Sequence, residues 1–214
     1  MGAIARSAAN NITTSGVFTS NAITNSSVTG ITVLANATDG ITFISSQTAS
    51  NSTSLSFTSG ITSTYKAYRF VLVNIKPATS GANFTFNGST DSGSNYNVVK
   101  TTSQWRAYHS EADTYTGLNS IGGLQQSTAF KTLGDGQEAL SDSNGGGYVD
   151  IINPSSTTYA KHFFSVYNII EPTPECNIRY NAGYFNTTSA VNAFRFQFTS
   201  GNISAGTIYL YGIK

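Results

Sequence analysis

Charge is what this 214-residue sequence has least of. Asp, Glu, Lys and Arg together make up 10% of it, against about 25% in ordinary globular proteins. The net charge is +1. A basic patch for nucleic acid or for an anionic membrane is therefore not expected. The sequence holds one cysteine, Cys176. An intrachain disulfide is excluded, and a small buried hydrophobe is the expectation for that residue. No apolar run reaches the roughly 18–20 residues that a membrane span needs. The opening residues, Met-Gly-Ala-Ile-Ala-Arg-Ser, lack the apolar centre of a signal peptide. Synthesis in a cytoplasm is expected, with no membrane insertion. No segment carries the apolar period and end caps of a helix.

The missing charge is replaced by Ser, Thr, Asn and Gly. Aromatic residues are plentiful, with 13 Phe and 12 Tyr, which suffices for a substantial core. Near-zero charge favours association between copies. Such a surface suits a protein that is covered by other chains.

Residues 1–40 stand apart. Between Arg6 and Lys66 the single charged side chain is Asp39. Short uncharged units repeat there, each placing a few apolar residues between polar turns: Ile12, Val17, Phe18, Ile23, then Val28, Ile31, Val33 and Leu34. Forty such residues bury too little apolar surface to offset their own ordering entropy. They either stay disordered or order by strand pairing with a neighbour. The regular β-branched spacing favours the second. This block is expected to be an extended docking and oligomerisation segment, with its contacts made by those eight side chains.

From residue 41 onward the pattern is strands between turns. The organising strand is expected at Thr64–Ile75, with Tyr65, Arg69, Val71 and Ile75 on one face and Tyr68, Phe70 and Leu72 on the other. Its Pro77 end is expected to run through covered sheet and its Tyr65 end to emerge. Further strands are expected near 42–48, 52–58, 83–87, 96–100, 104–112, 127–133, 148–153, 158–170, 176–185, 191–199 and 207–213, separated by Gly, Asn, Ser and Pro turns. The stretch Gly134–Gly147 reads as an exposed flexible tip. Many short strands with this punctuation predict an all-β, antiparallel β-sandwich or jelly roll over 41–214.

Chemistry is thinly marked. His109, Glu111 and Asp113 alternate on one expected strand, a spacing that can hold a divalent metal but usually marks a solvated strand end. Asp135, Glu138, Asp142 and Asn144 do not follow a calcium-loop spacing. Gly117-Leu118-Asn119-Ser120 does not fit a nucleophile elbow, and no carboxylate pair is marked for glycoside hydrolysis. Neither enzyme activity nor a metal or cofactor is expected. Trp105, Tyr108 and Tyr115 are candidate glycan contacts, because aromatic rings stack on sugars, although on sandwich strands they more often serve a core or an interface.

Several stretches carry a resemblance: Ile4–Asn11, Leu55-Ser56-Phe57-Thr58-Ser59-Gly60-Ile61 leading into Tyr65–Ile75, Asn153-Pro154-Ser155-Ser156 before Lys161-His162-Phe163, Gly183-Tyr184-Phe185-Asn186, and Ser200-Gly201-Asn202-Ile203 running to Ile213. Together they resemble virion structural proteins of tailed phages, aquatic ones especially, over nearly the whole chain. The motifs are strand and turn motifs. The resemblance implies an N-terminal attachment segment and a β-sandwich head present in several copies per particle. The expected function is a tail fibre or tail-appendage subunit, homotrimeric, made in the host cytoplasm and residing in the virion. It would bind other tail or baseplate proteins and touch a host surface glycan. The alternatives are a capsid decoration protein and a carbohydrate-binding module.

Overall fold

The computed structural model describes residues 40–173 and 175–214. The eight docking residues named above, Ile12 to Leu34, lie outside the described residues. Within them there is no helix, and twelve strands follow one another: β1 Ile41–Thr48, β2 Leu55–Phe57, β3 Ala67–Pro77, β4 Ala82–Ser89, β5 Lys100–Ser110, β6 Thr116–Ser120, β7 Lys131–Gln137, β8 Gly145–Ile152, β9 Lys161–Glu171, β10 Glu175–Phe185, β11 Ala193–Phe198 and β12 Ile203–Ile213.

They form two sheets, entirely antiparallel. The larger has the order β1-β12-β3-β8-β9-β10-β5-β6 and the smaller β2-β11-β4-β7. The chain passes from sheet to sheet at every step of β1–β2–β3–β4–β5, of β6–β7–β8 and of β10–β11–β12. That alternation, with β1-β12-β3-β8 facing β2-β11-β4-β7, is the two-Greek-key order of a jelly roll. Two hairpins are added to it. Strands β5–β6 follow β4, strands β9–β10 follow β8, and all four extend the larger sheet beyond β8.

The core lies between the sheets and is built from phenylalanine. Phe194, Phe196 and Phe198 alternate inward from β11 as period two requires. Phe196 meets the rings of Phe57, Phe70, Phe84 and Phe86 at centroid distances of 5.1 to 6.3 Å. Tyr68, Phe70 and Leu72 enter the same core from β3. Emptying the Phe196 site by an alanine substitution would cost about 3–5 kcal/mol.

Four expectations are corrected. The first concerns β3. Ile75 does not share a face with Val71, because the strand bulges at Asn74, whose φ is +52°. Pairing slips between Leu72 and Ile75 on the β8 side and between Ala205 and Thr207 on the β12 side. The extra residue reverses the alternation, so Ile75 and Pro77 turn into the core while Val73 is left exposed. The end expected to run under cover is therefore covered on its inner face only.

The second is the stretch Gly134–Gly147, which is not a long flexible tip. Gly134 and Gly136 belong to β7 and Gly145 opens β8. A Cβ at Gly134 would lie 2.6 Å, and one at Gly145 2.2 Å, from the Tyr167 side chain. The glycines make room for that buried ring, whose hydroxyl donates to Gln137 Oε1 at 3.0 Å. The third is the strand expected at 96–100, which is irregular up to β5 although Tyr96 and Val98 are buried; β6 at Thr116–Ser120 is a strand the pattern did not announce. The fourth is Cys176, which is exposed.

Candidate functional site

The outer face of the eight-stranded sheet is the feature that needs an explanation. Alternation sends every second residue of each strand outward. Reading the registers across the sheet gives one row of Tyr209, Val71, Tyr148, Val166, Tyr180 and Trp105. The next row holds Tyr211, Arg69, Asp150, Phe164 and Ala182. Phe43 on β1 continues it, with its ring 5.7 Å from Tyr211 and 6.5 Å from Tyr209. Ten large hydrophobic side chains are exposed among the described residues. Seven of them, Ile41, Phe43, Val73, Trp105, Leu118, Ile152 and Phe164, stand on this one face. Scattered surface hydrophobes are ordinary, whereas a contiguous patch marks an interaction surface.

Charge within these two rows is confined to one pair. Arg69 donates from Nε to Asp150 Oδ1 and from its terminal nitrogen to Asp150 Oδ2, both at 2.7 Å. The guanidinium also lies 4.5 Å from the centre of the Tyr148 ring. The bond to Asp150 holds Arg69 more firmly protonated than usual, against the opposing effect of its partial burial. A bidentate pair cancels its own charge, so these two rows are neutral as well as aromatic.

Trp105, 43% exposed, lies flat against Tyr180, with ring centroids 3.9 Å apart and planes 13° from parallel. Together with Tyr148 and Phe164 they border a groove of about 350 Å³. The three expected glycan contacts do not form one platform. Trp105 points outward, while Tyr108, an odd number of positions along β5, points to the opposite face. There its ring receives the Arg106 guanidinium at 4.6 Å and meets Tyr115 at 6.1 Å. The partners of Trp105, Tyr180 and Phe164, come from strands that sequence separation hides. Only their outward parity on β10 and β9 was visible.

The acidic constellations also separate. His109 Nε2 and Asp113 Oδ1 meet at 2.9 Å at the β5–β6 turn, and Glu111 stands exposed in that turn. Asp135 pairs with Arg179, and Glu138 accepts from Ser143 Oγ at 3.2 Å. Among the described residues no three metal-ligating side chains gather.

What this face can do chemically is exclude water. It offers planar rings, β-branched side chains and hydroxyls, which is the composition of an interface centre. Across the whole chain, no family model, no curated protein and no solved structure matches it.

Proposed function

We propose that the protein is a structural subunit of a tailed-phage virion, a tail fibre or tail-appendage protein, that self-associates through the outer face of its eight-stranded sheet. The observation that carries this reading is the neutral aromatic face itself. Eight strands at about 4.8 Å spacing make a sheet roughly 38 Å wide, and strands of this length present on the order of 1,000 Å². A standard interface takes about 800 Å² from each partner. The occupant is a neighbouring copy of the same chain in a closed ring of three, since homo-oligomers with closed symmetry are the common solution. The phage setting rests on the sequence resemblance, and the trimer on the uncharged block of residues 1–40 preceding a β-sandwich. Residues 1–40 serve as the attachment segment.

Jelly rolls occur in viral shell and lectin domains alike, and a fold does not by itself assign a job. Shell decoration is therefore the second reading. Copy number separates the two: a few copies localised to the tail support the fibre, and many copies spread over the head support decoration. Immunolabelling of virions with antibody to the sandwich domain reads this directly. The aromatic groove at Trp105 supports a glycan contact as a competing role, since it needs that part of the face uncovered. Trp105→Ala tests it by adsorption to host cells. Unchanged adsorption, with no signal on a host glycan array, removes it.

A further inference from the structure

Three lysines, Lys100, Lys131 and Lys161, are buried. Among the described residues none of them has a carboxylate within ion-pair distance. A buried ammonium without a counter-charge is costly. Lys100 Nζ donates to the backbone carbonyl of Ala129 at 2.7 Å, and Lys161 Nζ to that of Thr187 at 3.0 Å. Lys131 differs. Its Nζ donates to a side-chain amide, Gln104 Oε1, and among the described residues it makes no other hydrogen bond.

The pair spans the core. Lys131 opens β7, the edge of the smaller sheet, and Gln104 lies on β5 in the larger. Next to Gln104, in register on β10, stands Asn181. It ends an inward stripe of buried polar residues, Glu175, Asn177, Arg179 and Asn181. Asn181 Nδ2 donates to Ser165 Oγ at 2.9 Å, while its Oδ1 is buried with no partner. Buried acceptors are almost always filled, so this one lacks a donor. Gln104 and Arg179 also border a polar cleft of about 330 Å³, with the half-exposed Asp135 at its mouth.

An ammonium carries three donors, and this one finds a single acceptor. The neutral amine suits the site better, and the neutral amine is a nucleophile. Burial, helped by the charge of Arg179, lowers Lys131 to about 8. The group it touches is an acyl carbon with ammonia as leaving group. Primary amides resist amines in water, but two groups held together out of water react as if at very high concentration. Reacting atoms need a separation of about 3–3.5 Å. A small turn of either side chain brings Nζ from Oε1 over Cδ. The positive charge of Arg179 favours the negative oxygen that the addition creates.

We propose that Lys131 and Gln104 condense into an isopeptide bond that joins β7 of the smaller sheet to β5 of the larger. Nζ of the neutral amine attacks Cδ of Gln104. The Cδ–Nε2 bond breaks, one Nζ proton passes to Nε2, and ammonia leaves through the cleft. One C–N bond forms and one breaks, with no change of oxidation state and no co-reactant. The remaining N–H is a donor for Asn181 Oδ1, and no unpaired cation stays buried. Lys100 and Lys161 have no such reaction open to them, because attack on a backbone carbonyl would cut the chain. Lys131 titrates as an amine only until the bond forms. The bond ties the β5–β6 hairpin to the jelly roll, and it stands whether or not the protein self-associates.

The experiment is an intact-mass measurement of the purified full chain, held folded above pH about 8, followed by tryptic mapping. The mass is expected to be that of the sequence less one ammonia. An acylated lysine resists trypsin, so Thr101–Arg106 is expected only as a branch on a peptide that reads through Lys131. Lys131→Met and Gln104→Leu are each expected to keep the full mass and to release Thr101–Arg106 unbranched. The map of the parent decides the matter even if a variant fails to fold. A parent of full mass that is cut at Lys131 overturns the proposal and leaves the pair a hydrogen bond. Ammonia loss that maps to an Asn-Gly step such as Asn87-Gly88, where the chain can cyclise on itself, overturns it equally.

Discussion

Arg69 and Asp150 meet in a two-pronged ion pair across β3 and β8, within the aromatic rows of the outer face. An exposed pair of this kind contributes only about 0.2–1 kcal/mol to folding, and the Arg69 side chain is 36% exposed. Its larger consequence is for assembly. Once the face is covered, a lone charge there becomes a buried unpaired charge.

Asp150→Asn is thus expected to lower subunit stability by no more than about 1 kcal/mol and to weaken self-association by tenfold or more. Replacing both partners, Arg69→Met with Asp150→Leu, is expected to restore association or strengthen it, because an apolar pair carries no desolvation cost. Chemical denaturation and sedimentation equilibrium check the two effects separately. A single Asp150→Asn variant that associates like the parent would show that the pair stays wet.

The bulge at Asn74 gives a backbone prediction. Its φ of +52° is a left-handed conformation that Asn tolerates and a β-branched residue does not. Across from it on β12, Gly206 has a φ of +118°, and a Cβ there would lie 2.6 Å from the Asn74 carbonyl oxygen. Asn74→Val is expected to cost about 1–3 kcal/mol and Asn74→Gly to be near neutral. Urea midpoints of the two variants decide it. Equal midpoints would mean that the strand can straighten, which would also expel Ile75 from the core.

Stability should fall as pH rises from 5 towards neutrality. Glu171 ordinarily titrates at 4.5 and is raised to about 7 in the folded chain by burial and by Glu175, against the pull of Arg179 and Arg106. The folded state holds this proton more tightly than the unfolded one. The stabilisation is therefore full below about 4.5 and lost by the time the pH passes about 7. Allowing for partial exposure, the loss is on the order of 1–3 kcal/mol. Lys131 and Lys100 act above this window. Burial lowers each from 10.5 to about 8, with the Arg179 charge adding to the effect at Lys131. Their contribution is present above 10.5 and is lost as pH falls to about 8. Asp91, held down to about 2 by Ser89 and Asn95, titrates below the window. Glu171→Gln should flatten the profile between pH 5 and 7.5, measured by melting temperature. A slope that survives the substitution would place its origin elsewhere.

The fold was legible where alternation was strong and local. The inward Phe194, Phe196 and Phe198 and the inward Ile208 and Leu210 could be read from period two alone. The bulge at Asn74 could not, because a single extra residue in a long apolar strand leaves no mark except a tolerant Asn. Gly134 and Gly145 read as flexible punctuation because the ring they accommodate, Tyr167, is distant in sequence. The same limit hid the site. Trp105 was recognised as a surface aromatic, but its partners Tyr180 and Phe164 sit on strands whose pairing is set by long-range packing. The polar cleft did have a local signal. Glu175, Asn177, Arg179 and Asn181 alternate on one face of β10, a polar stripe that reads as solvent-facing until the sheet order turns it inward.

Self-association through the outer face of the large sheet can be read from the mass of the particle in solution. Light scattering on the purified chain tests it most directly, with the Phe43→Lys/Phe164→Lys double variant alongside. Both positions are exposed on that face, so the variant keeps its fold. The parent is expected at three times the 22.6 kDa chain mass and the variant as a folded monomer. A parent that remains a monomer at tens of micromolar, or a variant that keeps the parent's mass, would contradict it.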